Sequence, residues 1–101
     1  MPQEQSSVRQ RQRTNVKEPR MFQVVFHNDD FTTMEFVVLV LTTVFHHSQH
    51  TAERLMLLVH NEGKAVVGVY SYDMAMSRTN RTMSMAREAG FPLLVTCEPV
   101  E

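Results

Sequence analysis

Between Met21 and Phe45 the hydrophobic pattern changes period within a few residues, and that change narrows the folds open to the chain. Met21 to His27 is rich in β-formers (Phe22, Val24, Val25 and Phe26) and reads as a strand. Further on, the apolar positions are 36, 37, 40, 41, 44 and 45, one face of a helix that is expected to run to about His46. The join is Asn28-Asp29-Asp30, which has turn chemistry, followed by Thr32 and Glu35 at the S/T-x-x-E spacing of a capping box. Two carboxylates and an amide therefore sit at the foot of an apolar segment.

The rest of the chain extends the pattern. Ser48 can cap a second helix whose stripe is Ala52, Leu55, Met56 and Val59, and Gly63 can supply the left-handed residue after its last turn. Lys64 to Tyr70 reads as a second strand. Ser71 to Ala89 reads as a Met-rich third helix that begins near Asp73 and is stopped by Gly90. Phe91 to Cys97 gives a final strand, with Pro92 at its entry, where a missing amide is tolerated. The order β-α-α-β-α-β implies an α+β two-layer sandwich, a three-stranded antiparallel sheet with three helices on one face.

With 101 residues, 43% of them hydrophobic, the chain has material for one modest core. Its longest apolar run, Phe36 to Leu41, is too short for a membrane span. The polar N-terminus does not read as a secretory signal, and the lone Cys97 permits no internal disulfide, so a cytoplasmic protein is expected. Charge is unevenly spread. Residues 1–20 carry Arg9, Arg11, Arg13, Lys17 and Arg20 against two glutamates, whereas residues 21–101 carry nine acidic and five basic side chains. Residues 1–20 are therefore expected to be a flexible basic tail and 21–101 the core domain, which has no basic face for nucleic acid.

Residues four apart on a helix are neighbours, so Met56 and His60 share a face flanked by Val59, while Met34 and Val37 lie one turn apart on the first helix. If the two helices form a hairpin, these apolar side chains line one pocket with His60 at its rim, near the carboxylates. A free α-amino group is a small cation with three donors; Asn28, Asp30 and a neutral ring nitrogen of His60 can each accept from it. Taken singly these residues have plainer readings: an ordinary turn, a histidine at a helix end, core methionines and valines. Their joint spacing favours a binder of a chain end with a bulky apolar neighbour. No H-E-x-x-H, nucleophile elbow or phosphate-cradling glycine loop is present, so an enzyme is not expected.

The stretches VVFHNDDFTTMEFVVLVL, ERLMLLVHNEGKAVVGVY and PLLVTCEP closely resemble the ClpS family of adaptor proteins, over about Met21 to Glu98. The resemblance implies binding of proteins whose first residue is Leu, Phe, Tyr or Trp, the N-degrons of the N-end rule. It also implies their delivery to a Clp-type AAA+ unfoldase (ClpA or ClpC), without a cofactor and as a monomer. By the same resemblance the amine falls to Asn28, Asp30 and His60. The hydrophobic pocket falls to Asp29 (mainly its backbone), Thr32, Met34, Val37, Met56, Val59 and Leu93. Met34 matches the gate residue that disfavours β-branched first side chains. Unfoldase contact falls near Asp73 and Arg78, and residues 1–20 match the segment that relatives engage with the unfoldase. Thr33 stands where many members have proline, and the third helix is less alike.

Two other classes compete. The element order also resembles the C-terminal domain of the ribosomal stalk protein, which would make this a module binding translation factors. That reading expects a lysine-rich helix surface, and Arg54 is the one basic residue of the second helix apart from its histidines. His46, His47 and His50 suggest metal, but the Ser48 break takes His46 and His50 off a common helix turn, and no metal site is expected.

Overall fold

β1 (Met21–His27) is the centre of the molecule because both of its neighbours pair with it. Its inward side chains, Val24 and Phe26, are fully buried. The computed structural model describes residues 20–101. After β1 come α1 (Met34–Thr43), α2 (Gln49–Glu62), β2 (Lys64–Ser71), α3 (Tyr72–Glu88) and β3 (Leu94–Pro99). Strand order is β2-β1-β3, with both pairings antiparallel. β2 and β3 therefore run in the same direction on either side of β1, and α3, which joins them, lies across all three strands. This is the expected α+β sandwich. The basic tail anticipated at the N-terminus lies, apart from Arg20, outside the described residues.

One face of the sheet holds the core. Val24, Phe26, Val67 and Val95 point at the helical layer, where Val40 and Leu41 of α1, Phe45 of the loop after it, and Ala52 and Val59 of α2 complete the core. Phe26 and Phe45 meet edge to face with centroids 5.5 Å apart, a preferred aromatic geometry. The other face carries a polar ladder: the Thr96 hydroxyl donates to Glu98 at 3.0 Å and accepts from His27 Nε2 at 2.9 Å.

Several boundaries differ from expectation, each for a local reason. α1 is capped by Thr33, not Thr32: the Thr33 hydroxyl accepts from the Phe36 amide at 3.1 Å. The Thr32 hydroxyl instead donates to Asp29 Oδ2 at 2.7 Å, a charged acceptor that outbids the helix end. Glu35 is then one position short of a capping box. α1 stops at Thr43, three residues before His46, because His46 adopts a left-handed φ of 60°. That turn sends Phe45 into the core and lets His47 Nε2 donate to the Val67 carbonyl at 2.6 Å. Val67 is the extra residue of a β-bulge, where the partners of Val24 and Val25 skip from Gly68 to Val66.

α2 is capped by Ser48, which accepts from the Thr51 amide, and ends at Gly63 with φ 89°, both as expected. β3 begins at Leu94, later than Phe91. The Arg87 guanidinium donates to the carbonyls of Phe91 and Leu93 at 2.9 and 3.1 Å, and the Phe91 amide donates to the Ala86 carbonyl at 2.8 Å, so this segment closes the end of α3 rather than pairing in the sheet.

Candidate functional site

The join between β1 and α1 is built around Asp29. Its Oδ1 accepts from the amides of Phe31 and Thr32 at 2.8 and 2.7 Å, and its Oδ2 from the Thr32 hydroxyl. Partial burial pushes the carboxyl up, but the hydrogen bonds from Thr32 and Phe31, with a smaller contribution from Arg87, outweigh it and hold Asp29 below the usual aspartate value. With both oxygens engaged, Asp29 shapes the turn, and its flanking residues are left to face outward. Asn28 and Asp30 are exposed.

A second link fixes where that turn sits. The Asn28 amide donates to the Gly63 carbonyl at 2.9 Å, tying the exit of β1 to the end of α2. His60 lies in the last turn of α2, three residues before Gly63, and is brought to the same place. Because Gly63 is left-handed, the chain reverses there and enters β2 at once.

The result is one hollow of about 440 Å³. Asn28, Asp29, Asp30, Thr32 and His60 border it together with Met34 and Val37 from α1 and Met56 and Val59 from α2. Val37 and Val59 are buried, Met56 is half-buried and Met34 is 43% exposed at the mouth. Leu93 is the one pocket candidate that the structure does not bring to this wall: it is 1% exposed and belongs to the core. Phe31, Thr33 and Glu35 also border the hollow and were not singled out from sequence. Phe31 had a signal, an aromatic residue inside a polar turn, and it is 74% exposed.

The arrangement can hold a cation and an apolar group side by side. Acceptors from Asn28, Asp30 and His60 stand next to a surface of methionine and valine, within the size range of small-ligand sites. Asp73 and Arg78 lie elsewhere, on α3. Asp73 is exposed, whereas the Arg78 guanidinium stacks 4.8 Å from the centroid of the Tyr70 ring. His46 and His47 of the α1–α2 loop and His50 of the first turn of α2 diverge: His47 is bonded to Val67, while His46 and His50 are exposed. Among the described residues no three His, Cys, Asp or Glu side chains group as a metal would need, and no helix is long and apolar enough to cross a membrane.

Comparison with known proteins agrees with this fold. Residues 17–96 match the family model of the ATP-dependent Clp protease adaptor protein ClpS. The ATP-dependent Clp protease adapter protein ClpS of Acetivibrio thermocellus is 47% identical over 95% of this chain and 97% of its own length. That of Desulfatibacillum aliphaticivorans is 53% identical over 80% of this chain and 78% of its own. Among solved structures, Agrobacterium tumefaciens ClpS2 bound to L-phenylalaninamide superposes with a TM-score of 0.80 at 41% identity, covering 82% of this chain and all of that one. The relatives are adaptors and not enzymes. The chain belongs to the ClpS family of Clp protease adaptor proteins.

Proposed function

We propose that the hollow captures the free N-terminus of proteins beginning with Leu, Phe, Tyr or Trp, and that the chain, as a cytoplasmic monomer, delivers them to a Clp-type AAA+ unfoldase, ClpA or ClpC. One observation carries this reading: Asn28, Asp30 and His60 border the same cavity as Met34, Val37, Met56 and Val59. The amine donates to the first group, and the first side chain enters the second. The amide of phenylalanine bound by Agrobacterium ClpS2 has these two features, a free amine and a bulky apolar side chain.

Magnitudes make both halves necessary. A charge-assisted hydrogen bond nets about 1.5–3 kcal/mol, and burying a large apolar side chain about 1.5–3 kcal/mol. Ordering a peptide and losing its rigid-body freedom costs several such units. Together the contacts reach about -8 kcal/mol, near micromolar affinity. Met34 at the mouth selects by shape, since a branch at Cβ would collide with its side chain. Leu93 supports the wall from the core, and Asp29 acts through its backbone and the turn that it builds. Asp73 and Arg78 offer a docking surface for the unfoldase on α3, and residues 1–20 a segment for it to engage.

Calorimetric titration with short peptides tests the reading. Peptides beginning with Leu or Phe should bind, N-acetylation should abolish binding, and Val at the first position should weaken it. Asn28→Ala, Asp30→Ala and His60→Ala should each lose binding with the circular dichroism spectrum unchanged. Equal affinity for free and acetylated peptides would overturn it.

A further inference from the structure

The end of α1 and the middle of α3 enclose a second hollow, of about 350 Å³, which shares no lining residue with the first. Thr43, Val44 and His46 border it on one side, and Ser77, Arg78 and Arg81 on the other. Its charge is one-sided. Residues 21–101 carry nine acidic side chains and five basic ones, yet two of those five basic residues stand here. Among the described residues, no carboxylate lines the wall. Arg78 and Arg81 lie three positions apart on one helix, where like charges are neighbours and repel.

Arg78 is also held in place. Its guanidinium stacks 4.8 Å from the centroid of the Tyr70 ring, a contact that uses the face of the group and none of its in-plane donors. Its Nε is buried with no hydrogen-bond partner among the described residues, a condition that native folds rarely leave unanswered. His46 comes from the opposite element. Among the described residues it is the one non-glycine position with a left-handed φ, 60°, and its side chain is exposed. Such backbone conformations cost energy and cluster at functional sites. The Thr43 hydroxyl is committed to the Leu39 carbonyl at 2.7 Å, so the donors bordering the hollow are those of Ser77, His46 and the two arginines.

We propose that this hollow is an oxyanion site, which takes a phosphate group as the free ion or as the monoester of a small molecule. Charge and geometry name the class. Two arginines match the roughly two negative charges of a phosphate better than the single charge of a carboxylate. A guanidinium offers paired donors that fit two phosphate oxygens, and donors from α3 and from the loop after α1 meet a tetrahedral ion on different sides. The volume lies at the lower end of small-ligand sites, so an ester group has room beside the phosphate. The site is independent of the first-residue reading. Arg78 also belongs to the surface offered above to the unfoldase, so the test leaves the unfoldase out.

The full-length chain is titrated at fixed pH with sodium phosphate, with glycerol 3-phosphate and, at matched ionic strength, with sodium chloride, and its backbone amide NMR shifts are followed. Phosphate should give saturable shifts at residues 43–46 and 77–81, and chloride none that saturate. Arg81→Gln, at an exposed position, should weaken phosphate binding about fivefold to tenfold. Arg78→Lys, which keeps the charge and loses the paired donors, should weaken it as well. Arg54→Gln, which removes an exposed charge from α2, should leave it unchanged. Tighter binding of glycerol 3-phosphate assigns the site to a monoester, and tighter binding of phosphate assigns it to the free ion. Equal responses to phosphate and chloride, equal losses in Arg81→Gln and Arg54→Gln, or shifts centred on His60 would each overturn the proposal.

Discussion

Asp29 is a carboxylate spent on architecture. It accepts three hydrogen bonds from the two residues that follow Asp30, and so sets the direction in which Asn28 and Asp30 face. Asp29→Ala should destabilise the domain by about 1–3 kcal/mol in urea denaturation, since two amides and a hydroxyl lose their acceptor. Its lowered pKa fixes the sign of the pH response. The folded value lies below the ordinary 3.8, so the stabilisation is fully present above pH 3.8 and is lost as pH falls through the lower folded value. In Asp29→Asn the acid limb of the stability–pH curve should flatten. The same residue shows what sequence spacing misses. Thr32 and Glu35 satisfy the capping-box pattern, yet Thr33 is the cap, because Asp29 claims Thr32. Competition between neighbouring acceptors decides such one-residue shifts, and a spacing rule contains no account of it.

Among the elements, α2 is positioned most sharply. Gly63 ends it at φ 89°, and a Cβ added there would meet nothing within 4 Å. Gly63→Ala should therefore cost about 1 kcal/mol from backbone conformation alone. Since the Gly63 carbonyl receives the Asn28 amide, this substitution should also weaken peptide binding, whereas Ser48→Ala at the opposite end of α2 should lower stability alone. Thermal melts paired with titrations separate the two. Period-based reading found α1 and α2 because their buried stripes are large and apolar. α3 was harder to read: its buried positions are Ala75, Thr79, Thr82 and Ala86, small side chains that bring the helix close to the sheet but barely register as hydrophobic. The start of β3 was missed because Arg87 caps the Phe91 and Leu93 carbonyls, a contact between segments that no local pattern encodes.

At the level of the whole molecule, one core supports both layers. Leu41 is fully buried in it, and Leu41→Ala should cost about 2–5 kcal/mol in a single cooperative transition, a large share of the stability of a domain this size. The layer order was legible because turn or cap residues mark most element ends, although β2 runs straight into α3 at Ser71 and Tyr72. Most of the hollow was legible too, since Met34, Val37, Met56, Val59 and His60 sit at helical spacing. Leu93 was not, because a residue behind the wall and one on it look the same in a sequence.

The Asn28–Gly63 hydrogen bond joins positions thirty-five residues apart and closes the seam between the turn and the end of α2. A ribosome must therefore have released the chain past Gly63 before the proposed amine acceptors can meet. On the proposed function, an adaptor still under synthesis, or one clipped ahead of β2, would be blind to cargo, so competence for recruitment would double as a certificate of completed folding.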